Sequence, residues 1–191
     1  QSAAKSGLPE NCLFQAEQRD EISELLSCHE SVDLLIPRGS NAFVQYIMDH
    51  TKIPVMGHAD GICHIYVDKT FDIDKAVLVL IDAKTQYTAA CNAVETLLVH
   101  KDAVDLLMPR LNEALKEHQI ELRATADIAS RYDSILATEE DFETEYLDLI
   151  LSAKTVENID EAIVHINQYG SHHTDCIITE DREAAEYFMR M

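Results

Sequence analysis

Apolar residues recur along the chain with two periods, and their alternation predicts its elements. Cys12-Leu13-Phe14 reads as a short strand. Gln18 to Ser27 reads as a helix, with Ile22, Leu25 and Leu26 at helical spacing behind acidic residues suited to a first turn. Val32 to Ile36 is an apolar strand run that stops at Pro37-Arg38-Gly39-Ser40. Phe43, Val44, Ile47 and Met48 mark a helix with Ser40 or Asn41 as its cap, and Ile53-Pro54-Val55-Met56 reads as a third strand. Strand, helix, strand, helix, strand is the rhythm of a parallel α/β sheet.

The rhythm continues. Gly57-His58-Ala59-Asp60-Gly61 is a turn and Ile62 to Val67 a strand. Asp72 to Lys84 is an amphipathic helix with Ile73, Ala76, Val77, Leu80 and Ile81 on one face. After Tyr87-Thr88-Ala89-Ala90-Cys91-Asn92 comes the apolar run Leu97-Leu98-Val99, which has the look of a buried strand. Ala103 to His118 predicts a helix, Ile120-Glu121-Leu122 a strand, and Thr125 to Tyr132 a short helix opened by a hydroxyl cap. Residues 138–148 hold six acids, Glu139, Glu140, Asp141, Glu143, Glu145 and Asp148, and read as a solvated loop. Leu149 to Val156 is a strand, and Asn158 caps a helix that ends at Gly170. Cys176-Ile177-Ile178-Thr179 is a strand and Glu180 to Met191 a last helix. The expectation is an α/β chain in two lobes joined near Val67, residues 1–67 and 68–191.

Composition narrows the functions this chain can have. With 35 acidic and 15 basic residues, a formal net charge of −20 disfavours nucleic acid and anionic membrane surfaces. No run approaches the roughly 18 apolar residues of a membrane span. The first residues, Gln1 to Pro9, show no signal-peptide core, and the missing initiator Met leaves the natural start open. Five cysteines, Cys12, Cys28, Cys63, Cys91 and Cys176, are an odd number with no zinc-like spacing. They predict no metal, no disulfide framework and an intracellular setting, cytoplasmic or mitochondrial.

Three stretches could carry chemistry. Cys91 lies at the mouth of a core strand, where backbone N–H groups of a turn favour thiolate and its own amide is placed for an oxyanion. Taken alone, a cysteine in an apolar stretch is more often a packed structural thiol. Pro37-Arg38-Gly39-Ser40 leads a strand into a helix, a geometry that suits an anion and equally an ordinary turn. Gly57 to His64 pairs two His with an acid, as a proton shuttle would, though a glycine-hinged turn explains it as well.

Four ordered blocks then bear a likeness. Ile36 to Ser40, Ile53 to Asp68, Ala89 to His100 and Gly170 to Asp181 resemble gamma-glutamyl phosphate reductase, also called glutamate-5-semialdehyde dehydrogenase, of the aldehyde dehydrogenase superfamily. The wording is similar to the reductase part of eukaryotic pyrroline-5-carboxylate synthase, which carries a glutamate 5-kinase domain in the same chain. The resemblance implies a partial aldehyde-dehydrogenase-like fold. Residues 1–67 would form the second half of a Rossmann-like NADP-binding domain, and 68–191 a catalytic domain incomplete at its C-terminus.

It further implies that Cys91 displaces phosphate from gamma-glutamyl phosphate to leave a thioester. NADPH then delivers hydride, and glutamate 5-semialdehyde departs toward proline. Pro37, Arg38, Gly39 and Ser40 become cofactor-binding candidates; Asn92, Ser171, His173 and Thr174 become candidates for the oxyanion and substrate cleft. A capped helix–strand turn explains Ser171, His173 and Thr174 equally well. A homo-oligomer is expected. The segment near Met56-Gly57-His58 lacks the Glu with which oxidising relatives activate water, and a phosphate leaving group needs none. Thr88 stands where the family usually has Pro, which should loosen the turn slightly. Because the first part of the cofactor domain and the C-terminal block are absent, the alternative is an inactive truncated homologue that serves assembly or regulation.

Overall fold

Runs of β-branched and aliphatic residues bounded by capped amphipathic helices build a parallel sheet covered on both faces. The computed structural model describes residues 5–9, 12–13, 15, 19–39, 41–57 and 61–191. The chain divides into two units between Ala59 and Asp60. The sequence put this boundary near Val67. It falls earlier because Cys63–Val67 is an internal strand of the second unit's sheet, held on both edges. Phe14, Gln18, Ser40 and His58 to Asp60 fall outside the described residues.

The first unit carries α1 (Arg19–Leu25) and α2 (Asn41–His50). Val44 and Ile47 of α2 are buried, as are Leu26 and Ile53. The two strand runs expected at 32–36 and 53–56 reduce to one parallel bridge, Leu35 with Val55. Leu35 N–H donates to Pro54 O at 2.9 Å, and Met56 N–H donates to Leu35 O at 2.8 Å. Pro37 and Pro54 have no N–H to extend the ladder, so pairing stops there.

The second unit has β1 (Cys63–Val67), α3 (Ile73–Thr85), β2 (Val94–His100), α4 (Val104–Glu117), β3 (Glu121–Ala124), α5 (Ala126–Ala129) and β4 (Ile135–Leu136). Then come α6 (Glu139–Phe142), β5 (Ile150–Val156), α7 (Ile159–Tyr169), β6 (Asp175–Ile178) and α8 (Arg182–Phe188). The strands are parallel in the order β4-β3-β5-β2-β1-β6. Ile65, Val67, Leu97, Val99, Leu151 and Ala153 face α3 and α4, and Tyr66, Leu98 and Val156 face α7 and α8. Helix α4 keeps its course through Pro109 because Leu107, Met108, Leu111 and Leu115 are sealed in the core.

Caps fix where the helices begin. Asp72 accepts from Lys75 N–H, Asn158 from Glu161 N–H and Asp181 from Glu183 N–H. The acidic stretch at 138–148 is only in part the solvated loop expected of it. Thr138 and Asp141 form a capping box, and Asp141 and Phe142 are buried. Burial alone would raise the Asp141 carboxyl, but hydrogen bonds from Arg123, Thr138 and Tyr146 outweigh it and hold it at about 2. Gly170 ends α7 with a negative φ rather than the left-handed turn common after helices. A Cβ there would lie 2.6 Å from Ile166 O, so space and not φ demands glycine.

His165 of α7 is sealed among His64, Phe142 and Tyr169, with Lys154 Nζ 3.5 Å from its Nδ1. Burial, helped by His64 and Lys154, pushes its pKa down to about 3 from 6.5. The unfolded chain therefore binds a proton that the folded chain refuses. Stability should be full above pH 6.5 and decline as pH falls toward 3. The His165 contribution to that loss is about 2 kcal/mol by pH 5. Denaturant midpoints at pH 7 and 5 should converge in His165→Phe relative to the parent chain.

Candidate active site

Because β2, β1 and β6 are parallel neighbours, their N-terminal ends lie side by side. Three loops therefore converge there: Gln86 to Ala93 before β2, Gly61-Ile62 before β1, and Ser171 to Thr174 before β6. Cys91 is half-buried in the first of them, and Asn92 is exposed. The loop is two successive turns, in which Ala90 N–H donates to Tyr87 O at 3.1 Å and Ala93 N–H to Ala90 O at 2.9 Å. The second turn closes under Cys91 itself. Among the described residues, no hydrogen bond takes up the N–H of Cys91 or Asn92. These are the donors an oxyanion beside the sulfur would need.

The loop is gripped from β1. A Cβ on Gly61 would sit 2.2 Å from Cys91 O and 2.6 Å from its Cα, so only glycine lets the two backbones meet. Gly61 N–H donates to Glu145 Oε1 at 2.9 Å. The Cys63 thiol donates to Cys91 O at 3.2 Å. Burial pushes that thiol up to about 11, which keeps it a protonated donor. Burial also raises the Cys176 thiol. Between Cys63 and His64 the pairing with β2 shifts register, and the irregularity lies at the strand end that meets the Cys91 loop.

Of the cleft candidates, Ser171 is committed to the backbone. Its Oγ accepts from Ile62 N–H at 3.0 Å, and its N–H donates to Ile62 O at 3.3 Å. Thr174 is exposed, its hydroxyl 2.8 Å from His173 Nδ1. His172 holds a φ of 57°, a conformation rare for residues with a side chain. Asp175 fixes the start of β1, where its Oδ1 accepts from His64 N–H at 3.0 Å. Ser171, His173 and Thr174 therefore share the sheet end with Cys91. Pro37, Arg38 and Gly39 belong to the first unit, where Gly39 has a φ of 153° just before α2, and Ser40 lies outside the described residues.

Beneath the loop lies a pair that no periodicity announces. Lys84 Nζ donates to Glu95 Oε2 at 2.6 Å, with side chains 0% and 1% exposed. Burial pushes the Glu95 carboxyl up to about 7 and the Lys84 amine down, while their mutual attraction opposes both shifts. Sequence reasoning passed over Gly61, Cys63, Lys84, Glu95, Glu145 and Asp175 as site residues. The one available signal was a charged Glu at the head of the strand run Val94 to Val99. Among the described residues, no group of His, Cys, Asp and Glu could hold a metal ion. No described helix is long and apolar enough to cross a membrane.

Residues 1–130 match the model of the aldehyde dehydrogenase family. The chain belongs to the aldehyde dehydrogenase family. The gamma-glutamyl phosphate reductase of Pelotomaculum thermopropionicum is 53% identical over 185 residues, which are 97% of this chain and 43% of that one. The crystal structure of gamma-glutamyl phosphate reductase from Thermotoga maritima aligns with a TM-score of 0.86 at 39% identity. It covers 93% of this chain and 43% of that one. A glyceraldehyde-3-phosphate dehydrogenase of Methanocaldococcus jannaschii, complexed with NADP, shares the fold at 17% identity, with a TM-score of 0.72 and coverage of 99% of this chain and 50% of its own. These relatives bear out the reductase resemblance read from the four blocks and the partial aldehyde-dehydrogenase-like fold. The chain spans about two fifths of the curated relative.

Gly61→Ala in this family member should cost about 1–3 kcal/mol, because the new methyl meets backbone and not a yielding side chain. It should also slow alkylation of Cys91, since the loop must move away. Denaturant melts and mass spectrometry after iodoacetamide measure the two effects.

Proposed function

We propose that this chain is part of an NADPH-dependent gamma-glutamyl phosphate reductase of proline biosynthesis, with Cys91 as its nucleophile. The observation that carries the reading is the placement of Cys91: half-buried, at the meeting of three loops, beside two N–H groups without partners among the described residues. The 53% identical reductase supports the substrate, and the NADP-bound dehydrogenase of the same fold supports the nicotinamide cofactor.

In this reading the Cys91 thiolate attacks the acyl carbon of gamma-glutamyl phosphate, the acyl–oxygen bond breaks and phosphate leaves. The product is a thioester on Cys91. Its carbonyl oxygen carries negative charge in each tetrahedral state, and the amides of Cys91 and Asn92 are the donors proposed to receive it. NADPH, when bound, supplies the hydride for the reduction. Collapse of the resulting thiohemiacetal returns the thiolate and frees the aldehyde. Gly61 and the Cys63 thiol hold the peptide of Cys91 so that its sulfur keeps one orientation. In the same reading Ser171, His173 and Thr174, in the loop before β6 at the same sheet end, are the candidates to meet the polar end of the substrate.

For the cofactor, this reading takes the Pro37 to Gly39 turn and the N-terminus of the ten-residue α2 behind it. Free amides at such a helix end suit a phosphate group, and Arg38 adds charge. A homo-oligomer, and a glutamate 5-kinase domain in the same natural chain, belong to the same proposal.

Iodoacetamide at near-neutral pH should label Cys91 well ahead of Cys12, Cys28, Cys63 and Cys176. Equal or slower labelling overturns its role as an activated nucleophile. In enzyme that turns over, Cys91→Ser should lower the reduction rate by about 10³-fold or more. A titration with no measurable NADPH binding would favour a non-catalytic assembly role.

A further inference from the structure

Lys84 and Glu95 stand at the two ends of the loop that carries Cys91. Lys84 is in the last turn of α3, and Glu95 is the second residue of β2. A hydrogen bond of 2.6 Å closes the base of the loop between them. Two apolar residues of similar volume would fill this space without the desolvation that both groups suffer, so stability alone does not account for the pair.

What the pair touches does. Lys84 Nζ lies 5.9 Å from the centre of the Tyr146 ring. The backbone of Tyr146 and Leu147 counters the burial-driven rise of the Glu95 carboxyl, while Glu95 Oε1 has no hydrogen-bond partner among the described residues. Leu147 holds a φ of 55°, a conformation that a leucine adopts only where its surroundings impose it. The same segment provides Glu145, whose carboxylate holds the Gly61 N–H, and Gly61 lies against the Cys91 backbone. The contacts form a closed ring: the base of the loop, the 145–147 segment, Gly61, and the peptide of Cys91.

We infer that Lys84 and Glu95 are positioning residues for Cys91. By fixing the base of its loop and the segment that holds Gly61, they set where the sulfur stands. The inference rests on the reading of Cys91 as the nucleophile, and two measurements keep the two separable. The first is amide hydrogen exchange of residues 86–93, with α4 as internal reference. The second is the iodoacetamide labelling ratio of Cys91 to the exposed Cys28.

The test uses Lys84→Met/Glu95→Leu and, as the conservative change, Glu95→Gln. In the folded double variant, exchange in 86–93 should rise about tenfold while α4 is unchanged, and the Cys91-to-Cys28 ratio should fall. Glu95→Gln keeps a hydrogen bond to Lys84 and should fall between the parent and the double variant. Unchanged exchange and an unchanged ratio in whichever variant folds would make the pair a packing feature and overturn the inference. If Cys91 of the parent chain labels no faster than Cys28, the nucleophile reading falls, and loop exchange still decides whether the pair positions the loop.

Discussion

Two backbones lie against each other where β1 begins and the Cys91 loop ends, and the site depends on that approach. Gly61 has no Cβ, and any Cβ there would lie 2.2 Å from Cys91 O. Because β1 pairs with β2 on one edge and β6 on the other, Gly61 just before it is anchored to an internal strand of the sheet. The cysteine loop has no regular structure, yet it inherits the rigidity of the sheet through this contact and through the Cys63 thiol.

The sheet is rigid because neither face is open. Leu97 and Val99 pack under α3 and α4, while Leu98 packs under α7. Every side chain of β2 is buried, Glu95 included. A carboxylate in such a strand needs a partner close by, and Lys84 meets it at 2.6 Å. The same rule governs Asp141, buried and tied to Arg123, Thr138 and Tyr146. Among the described residues most acids lie at the surface, and the buried ones are tied to Lys84, to Arg123 or, for Asp68, to the hydroxyls of Tyr66 and Thr179.

Much of this was legible beforehand. Ile73 to Thr85 and Ile159 to Tyr169 follow from apolar spacing, the second also from the cap at Asn158. Cys91 stood out because small residues lead into it and an apolar run follows. The short pieces were less legible. Strand β4 is two exposed residues, Ile135 and Leu136, and α6 is a single turn inside an acidic run. The runs around Leu35 and Val55 looked like strands, but the prolines beside them left one bridge. Period and propensity say nothing of which edges find a neighbour.

Residue order alone determined the α/β class, the helix starts and the candidate nucleophile, because hydrophobic period and side-chain capping act within a few residues. Four ordered blocks also carried the family likeness. The grip on Cys91 came from elsewhere: Gly61 thirty residues before it, Glu145 far behind it, and Lys84 and Glu95 on either side. Which of these groups meet is decided when parallel pairing sets the ends of β2, β1 and β6 side by side. Burial there makes Glu95 take the one cation, Lys84, that the fold brings within reach.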